Sequence, residues 1–292
     1  MFENHDVKNF SVNEVLQNLK SRTTTIAWTQ HTWNPWCGCT KVSAGCLNCY
    51  AVPMARRLPN MGMVAYNGLV DNNGHWTGLI NRNSETQFQF PNSLKSGLVF
   101  VCSMSDFWHT AVPAEWRSEA LRIIVNNPNL TFQIPTKRPE NILPMLRAAG
   151  YDAAPPNVWL GASVEDHRVA DRIDVLRSVP AKVRFLSVEP MTQPLGNVDL
   201  TGIDWVIVGG ESGHGARPLQ AEWVREVRDQ CQEAGSAFFF KQWGQPKFNP
   251  LAADYQTLKQ PGETLADFIG RVDSDEKGGH LLDGMRWRQY PA

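Results

Sequence analysis

One pattern recurs along the chain and restricts its fold more than any other feature. A short apolar, β-branched run ends in polar residues, and an amphipathic segment follows. The runs cover residues 25–29, 98–103, 130–135, 158–163, 183–188, 205–208 and 237–241. Most are continuously apolar rather than alternating, as expected of parallel strands covered on both faces. The segments between them carry helix periodicity and recognisable ends. Leu219, Trp223, Val227 and Cys231 recur every four residues before a stop at Gly235, and Trp116, Ala120, Ile123 and Ile124 share a face after Pro113. A segment opened by Pro139 stops at Gly150, and another from Glu165 carries Val169, Ile173 and Leu176 before Pro180. Strands alternating with helices predict βα units and a parallel α/β sheet. A G-x-G-x-x-G turn follows none of the strands, which disfavours an open dinucleotide-binding sheet. The predicted fold is therefore a (β/α) barrel or partial barrel with outer helices.

Residues 23–244 are expected to form that barrel, with an Asn- and Gly-rich excursion at 59–93 that reads as a loop or a poorly marked strand pair. Residues 1–22 read as a leader with one short helix, from Val12, Val15, Leu16 and Leu19. Residues 245–292 read as an extension, a candidate lid docked by Trp287 and Tyr290. The chain has 292 residues and a net charge of -1, so no general basic field exists to hold nucleic acid. No apolar run reaches the roughly 18 residues that span a bilayer, and the N-terminus lacks a signal-peptide pattern. A cytoplasmic protein with no membrane association is expected.

Four of the six cysteines, Cys37, Cys39, Cys46 and Cys49, fall between residues 37 and 49, directly after the first run. Cys102 and Cys231 stand alone in apolar surroundings and read as small buried hydrophobes. In a reducing compartment such a cluster points to a metal site rather than a disulfide framework. Thiolates at this density suit either zinc or an iron–sulfur cluster, and an iron–sulfur cluster held by three would leave one iron open.

In parallel α/β folds the ligand site lies at the carboxyl ends of the strands. Here those ends deliver Ser103, Ser105 and Asp106; Thr136, Lys137 and Arg138; Ser163, Glu165 and Asp166; Ser187 and Glu189; Gly209, Gly210, Glu211 and Ser212; and Lys241, Gln242 and Trp243. Ser163 and Asp166 read equally as helix caps, and Lys137 with Arg138 suits an anionic group. Glu189, before Pro190, has no helix to cap and is expected to serve the site. Trp33, Trp36, Trp108 and Trp243, near the predicted mouth, are candidates for stacking on bases, although core packing explains them equally.

The runs TIAWTQHTWNPWCGCTKVSAGCLNCYA, FVCSMSDFWH, PTKRPENI, WLGASVED, RFLSVEPM, DWVIVGGESGHGARPL and FFFKQWG together resemble the phage-type three-Cys-motif family, which is similar to radical SAM enzymes. The resemblance runs from about Thr24 to Trp287. It maps the family's cysteines onto Cys39, Cys46 and Cys49, a six-then-two spacing, and leaves Cys37 as an extra thiol. It implies a [4Fe-4S] cluster whose open iron binds S-adenosylmethionine. Reductive cleavage would then give a 5′-deoxyadenosyl radical that attacks a substrate, a nucleotide, nucleic acid base or other small molecule. Ser103, Ser105, Asp106, Ser163 and Glu211 are then candidates to hold the cofactor, and Glu165, Glu189 and Lys137 to act on substrate. A protein reductant is implied as partner, and the cytoplasm of a phage-carrying host as location. The competing reading is a zinc-stabilised phage accessory protein that binds a partner or nucleic acid without catalysis.

Overall fold

Continuous apolar runs bury best when both sheet faces are covered, and the chain arranges them that way. In the computed structural model, which describes residues 24–273 and 277–292, seven strands pair in parallel and in sequence order. They are β1 (His31–Trp33), β2 (Gly97–Val101), β3 (Leu130–Thr136), β4 (Val158–Ser163), β5 (Val183–Val188), β6 (Trp205–Gly209) and β7 (Ala237–Gln242). β1 and β7 do not pair with each other, and the sheet curls into a half-barrel with helices around it. The helices used below are α1 (Ala51–Arg57), α2 (Ala114–Asn126), α3 (Ile142–Ala148), α4 (Asp171–Arg177), α5 (Ala221–Ala234) and α6 (Leu265–Val272). The partial barrel expected from the sequence is thus the fold. The leader helix expected around Val12–Leu19 lies outside the described residues.

Side-chain alternation along the strands separates the two faces. Val99, Phe132, Leu160, Leu186, Val206 and Phe238 share one core with Leu121, Leu146, Ile173 and Val224 of the helices. The intervening residues Phe100, Phe185, Trp205, Ile207 and Phe239 form a separate inner cluster. This aromatic packing fills the inside of the half-barrel toward the amino ends of its strands, so the open volume lies at the carboxyl ends.

The first strand departs from expectation. It is His31–Trp33, not residues 25–29. The β-branched run instead enters through a turn, closed by the Thr29 N–H on the Ile26 carbonyl, that sends Trp28 into the inner cluster. Trp28 lies 4.7 Å from Phe100 and 6.3 Å from Trp205, ring to ring. Burial of this large side chain outweighs the strand preference of its neighbours. The second run also stops early, because Cys102 takes φ 64° and donates its N–H to Trp33 O.

The excursion combines both readings. It consists mostly of short turns, but Asn81–Arg82 pairs antiparallel with Trp36–Cys37, and Phe88 is fully buried, its carbonyl accepting from Trp33 Nε1 at 3.1 Å. At the other end of the chain, Trp287 O accepts from Phe240 N at 2.8 Å and Tyr290 packs on Trp205 and Phe239. Trp287 and Tyr290 thus pack this segment against β7 and Trp205. Cys102 and Cys231 are buried, as expected.

Asp166 proves to be a cap. Its Oδ1 accepts from Arg168 N–H at 3.1 Å, and its carboxylate binds the Arg168 guanidinium and the Thr192 hydroxyl. The Arg168 hydrogen bond is the foremost of the interactions that hold its pKa well below the ordinary carboxylate value. A depressed folded pKa contributes stability above the unfolded pKa of about 3.9, and that contribution fades as pH falls toward the folded value. Between pH 6 and pH 3 the melting temperature of the parent should therefore fall more steeply than that of Asp166→Asn. Parallel declines would contradict this role.

Candidate functional site

The thiol-rich loop, residues 34–50, leaves β1 and crosses the open mouth. Its path depends on two glycines. Gly38 adopts φ 105°, and a Cβ there would meet Leu79 O at 2.1 Å. A Cβ on Gly45 would meet the Glu165 carboxyl carbon at 2.9 Å, so the approach of that carboxylate requires glycine.

Polar groups at the strand ends clamp this loop. After β2, Ser105 Oγ donates to Gly38 O at 2.6 Å. After β3, Arg138 donates to Thr40 O at 2.9 Å and Thr40 Oγ1 at 2.7 Å, and its guanidinium lies 3.9 Å from Cys39 Sγ. Asp106 pairs with Arg138 at 3.0 Å and also accepts from Thr136 Oγ1 and from the N–H groups of Lys137 and Trp108. After β4, Glu165 Oε1 accepts from Gly45 N–H at 3.0 Å while Oε2 accepts from Arg172 at 3.0 Å. After β6, Glu211 accepts from Asn48 at 3.0 Å and pairs with Arg217 at 2.5 Å, and Arg217 in turn donates to Ala44 O. Tyr50 donates its hydroxyl to Ser103 O at 2.8 Å, and Ser103 Oγ accepts from Asn34.

Burial pushes the Glu165 pKa up, but the Lys137 charge, hydrogen bonds from Ser43 and Gly45, and the Arg172 charge outweigh it and hold the carboxyl below its usual range. Burial likewise works against the Glu211 carboxylate, and hydrogen bonds from Arg217 and Asn48 prevail. Both groups are anions committed to the loop. Removing Glu165 would free Gly45 and leave Arg172 as a buried, unpaired cation, at a cost of about 3 kcal/mol or more. Glu165→Ala should therefore lower the melting temperature and speed the reaction of the loop thiols with a chromogenic thiol reagent. Thiols reacting at the parental rate would show that Glu165 does not hold the loop.

Cys39, Cys46 and Cys49 are each partly exposed, while Cys37 is buried. Cys46 lies within electrostatic reach of both Cys39 and Cys49. Cys37 is turned the other way, toward Tyr66 and Asn83. Burial, with Asp106 adding to it, raises the Cys39 thiol to about 11, against the opposing effect of Arg138. Among the described residues, no group of three or more His, Cys, Asp or Glu side chains is drawn together closely enough to hold a metal ion. The donor chemistry does fit a cluster with one open iron: three soft donors share one clamped loop at the mouth, and the fourth nearby thiol points away.

Inside the mouth, the ammonium of Lys137 makes no hydrogen bond among the described residues and stands within electrostatic reach of Cys49 and Glu165. Ser163 and Ser187 close their strands on the inner face. Glu189 pairs with Lys241 Nζ across the mouth, over Gly209, where a Cβ would lie 3.3 Å from the Glu189 carboxyl carbon. The eight side chains expected to serve cofactor or substrate stand in different surroundings. Asp106, Glu165 and Glu211 have their carboxylates filled by protein donors, and Ser105 Oγ and Ser103 Oγ meet loop residues. Ser163 is buried at the end of β4, and Glu189 is engaged by Lys241. Trp33, Trp36, Trp108 and Trp243 are at most 1% exposed and offer no ring to a base, which corrects the stacking assignment in favour of core packing.

Arg217, Asn48, Tyr50 and Lys241 were not singled out from the sequence for the roles they play. Asn48 and Tyr50 flank the loop cysteines and Lys241 stands at a strand end, but the sequence marked none of their partners, and Arg217, in the segment after β6, carried no signal of its own.

The fold and the loop define a class: a parallel (β/α) half-barrel carrying a clamped thiol-rich loop at the carboxyl ends of its strands. The chain belongs to a family described as a protein of unknown function, DUF5131, whose model matches residues 23–291. No curated protein matches the sequence. Among solved structures, a spore photoproduct lyase double mutant with bound AdoMet and dinucleoside spore photoproduct aligns with 79% of this chain and 72% of its own, at 10% identity and a TM-score of 0.38. A likeness that distant transfers no residue roles. No helix among the described residues is long and apolar enough to cross a membrane.

Proposed function

We propose that the protein is an iron–sulfur enzyme of radical SAM type, in which Cys39, Cys46 and Cys49 hold a [4Fe-4S] cluster and S-adenosylmethionine is the co-substrate. One observation supports this reading above the others. The three thiols of the six-then-two spacing sit partly exposed on one loop, clamped from four strand ends, while Cys37, Cys102 and Cys231 are buried elsewhere. When bound, the cluster supplies the electron that cleaves the sulfonium and generates a 5′-deoxyadenosyl radical.

The chain's own residues would do the rest. Arg138 and Asp106 fix the backbone next to Cys39, and the Arg138 cation beside its sulfur works against the rise that burial and Asp106 impose on the thiol. Glu165 and the Glu211–Arg217 pair keep the Cys46 segment from moving away from the mouth. Lys137, uncommitted and half-buried, would hold an anionic group of co-substrate or substrate. Glu189 with Lys241 would bind a polar group, or accept and return a proton at the Glu189 carboxylate, in a volume the loop shields from water. A protein reductant and a small-molecule or nucleotide substrate complete the reading.

Reduced, anaerobically reconstituted protein incubated with S-adenosylmethionine should release 5′-deoxyadenosine, detected by chromatography. Protein that carries iron and releases none would overturn the enzymatic part of the proposal.

A further inference from the structure

Beside the mouth, a cleft of about 720 Å³ runs between the thiol loop, α1, the segment after β6 and the C-terminal extension. That volume falls in the range of small-molecule sites. Its lining has an uneven charge. Lys41, His214 and Lys277 contribute the ionisable groups apart from Cys49 and Tyr50, and no carboxylate is among the described lining residues. Lys41 makes no ion pair among the described residues and is exposed, and the Lys277 ammonium lies 3.4 Å from Ser212 Oγ. The wall that carries Lys41 is basic over a long stretch. From His31 to Val70 the chain has Lys41, Arg56 and Arg57 and no Asp or Glu. Of the described lining residues, the side chains that carry a formal charge are Lys41 and Lys277.

The remaining lining is apolar and includes one accessible ring. Tyr50 is 47% exposed although its hydroxyl is anchored on Ser103, and Met54 is 37% exposed. Ile269 of α6 adds the wall opposite. Lysines in the same lining as an anchored, accessible ring and aliphatic neighbours suit a phosphate ester that carries a flat, weakly polar body. Cys49 and Tyr50 line the cleft, and Lys277 stands within electrostatic reach of Glu189 and Lys241, so a ligand there borders the candidate reaction site.

We infer that this cleft binds a nucleotide, with its phosphate between Lys41, His214 and Lys277 and its base against Tyr50. Identifying that nucleotide as substrate rests on the radical SAM reading above; the binding itself does not. The same chemistry arises from a free nucleotide or from a nucleotide unit of a single strand.

Calorimetric titration of the full chain with 5′-AMP, adenosine, inorganic phosphate and a ten-residue oligothymidylate tests the inference. 5′-AMP should bind on the order of tenfold or more tightly than adenosine or phosphate alone. The double substitution Lys41→Gln with Lys277→Gln should remove that advantage while leaving the circular dichroism spectrum and iron content unchanged, since both lysines are exposed. Tighter binding of the oligonucleotide assigns the source to single strands, and binding no tighter than the mononucleotide assigns it to free nucleotide. Equal binding of 5′-AMP and adenosine, an unaffected double variant, or displacement of 5′-AMP by S-adenosylmethionine would overturn the inference. Protein that binds 5′-AMP but no iron would overturn the cluster reading and leave the cleft intact. Protein that holds its iron but binds no nucleotide would do the reverse.

Discussion

Cys46→Ala, reconstituted anaerobically beside the parent, should retain almost no iron, whereas Cys37→Ala should retain the parental amount. The two cysteines are nine positions apart, yet the loop sends them to opposite environments. Cys46 is partly exposed and within electrostatic reach of Cys39 and Cys49, so its loss removes one of three anchors from a cluster that has no fourth cysteine facing it. Cys37 is fully buried against Ala51, Ala55, Tyr66 and Leu69, where burial raises its thiol to about 11. Set among apolar side chains and turned toward Tyr66 and Asn83, it reads as a packing element rather than a ligand. Cys37→Ala should therefore cost stability without costing iron. Iron lost equally from both variants, or from Cys37→Ala alone, would place the ligand set elsewhere on the loop.

Trp205→Ala should destabilise the chain by about 3–5 kcal/mol, the range for truncating a large buried aromatic. Trp205 is fully buried at the centre of the inner cluster, with ring centroids 5.7 Å from Phe185, 5.9 Å from both Trp159 and Phe239, and 5.1 Å from Tyr290. It also donates from Nε1 to Gln289 O at 2.8 Å, so it fastens the C-terminal extension to the barrel. Its truncation should raise protease sensitivity in that extension as well as lower the denaturation midpoint. A midpoint within 1 kcal/mol of the parent would show that the inner aromatic packing contributes little.

Much of this architecture was legible in the sequence. The six later strands are continuous apolar runs that admit few alternatives, and helices with periodic faces and Pro or Gly ends separate them. The exception, residues 25–29, shows where local preference fails: Thr25 and Ile26 favour a strand, but Trp28 two residues on gains more by entering the barrel. The site was legible at the level of its thiols, because cysteine spacing lies on one short segment. The strand-end carboxylates follow the strands that the sequence marks, but their partners were not legible in it. Whether Glu165 meets a ligand or the Gly45 amide depends on how a segment 120 residues distant crosses the barrel. The same holds for Glu211 and Asn48, 163 residues apart. The adjacent pair Lys137 and Arg138 illustrates the limit. Their chemistry is similar, yet Arg138 is locked onto Asp106 and Thr40 while the Lys137 ammonium makes no hydrogen bond among the described residues.

The central claim is that three loop thiols hold an iron–sulfur cluster. Iron and acid-labile sulfide measured on anaerobically prepared full-length protein test it most directly. The account predicts a brown protein with about four irons and four sulfides per chain. A colourless protein that retains one zinc per chain through anaerobic reconstitution would contradict it and support the zinc-stabilised binding protein instead.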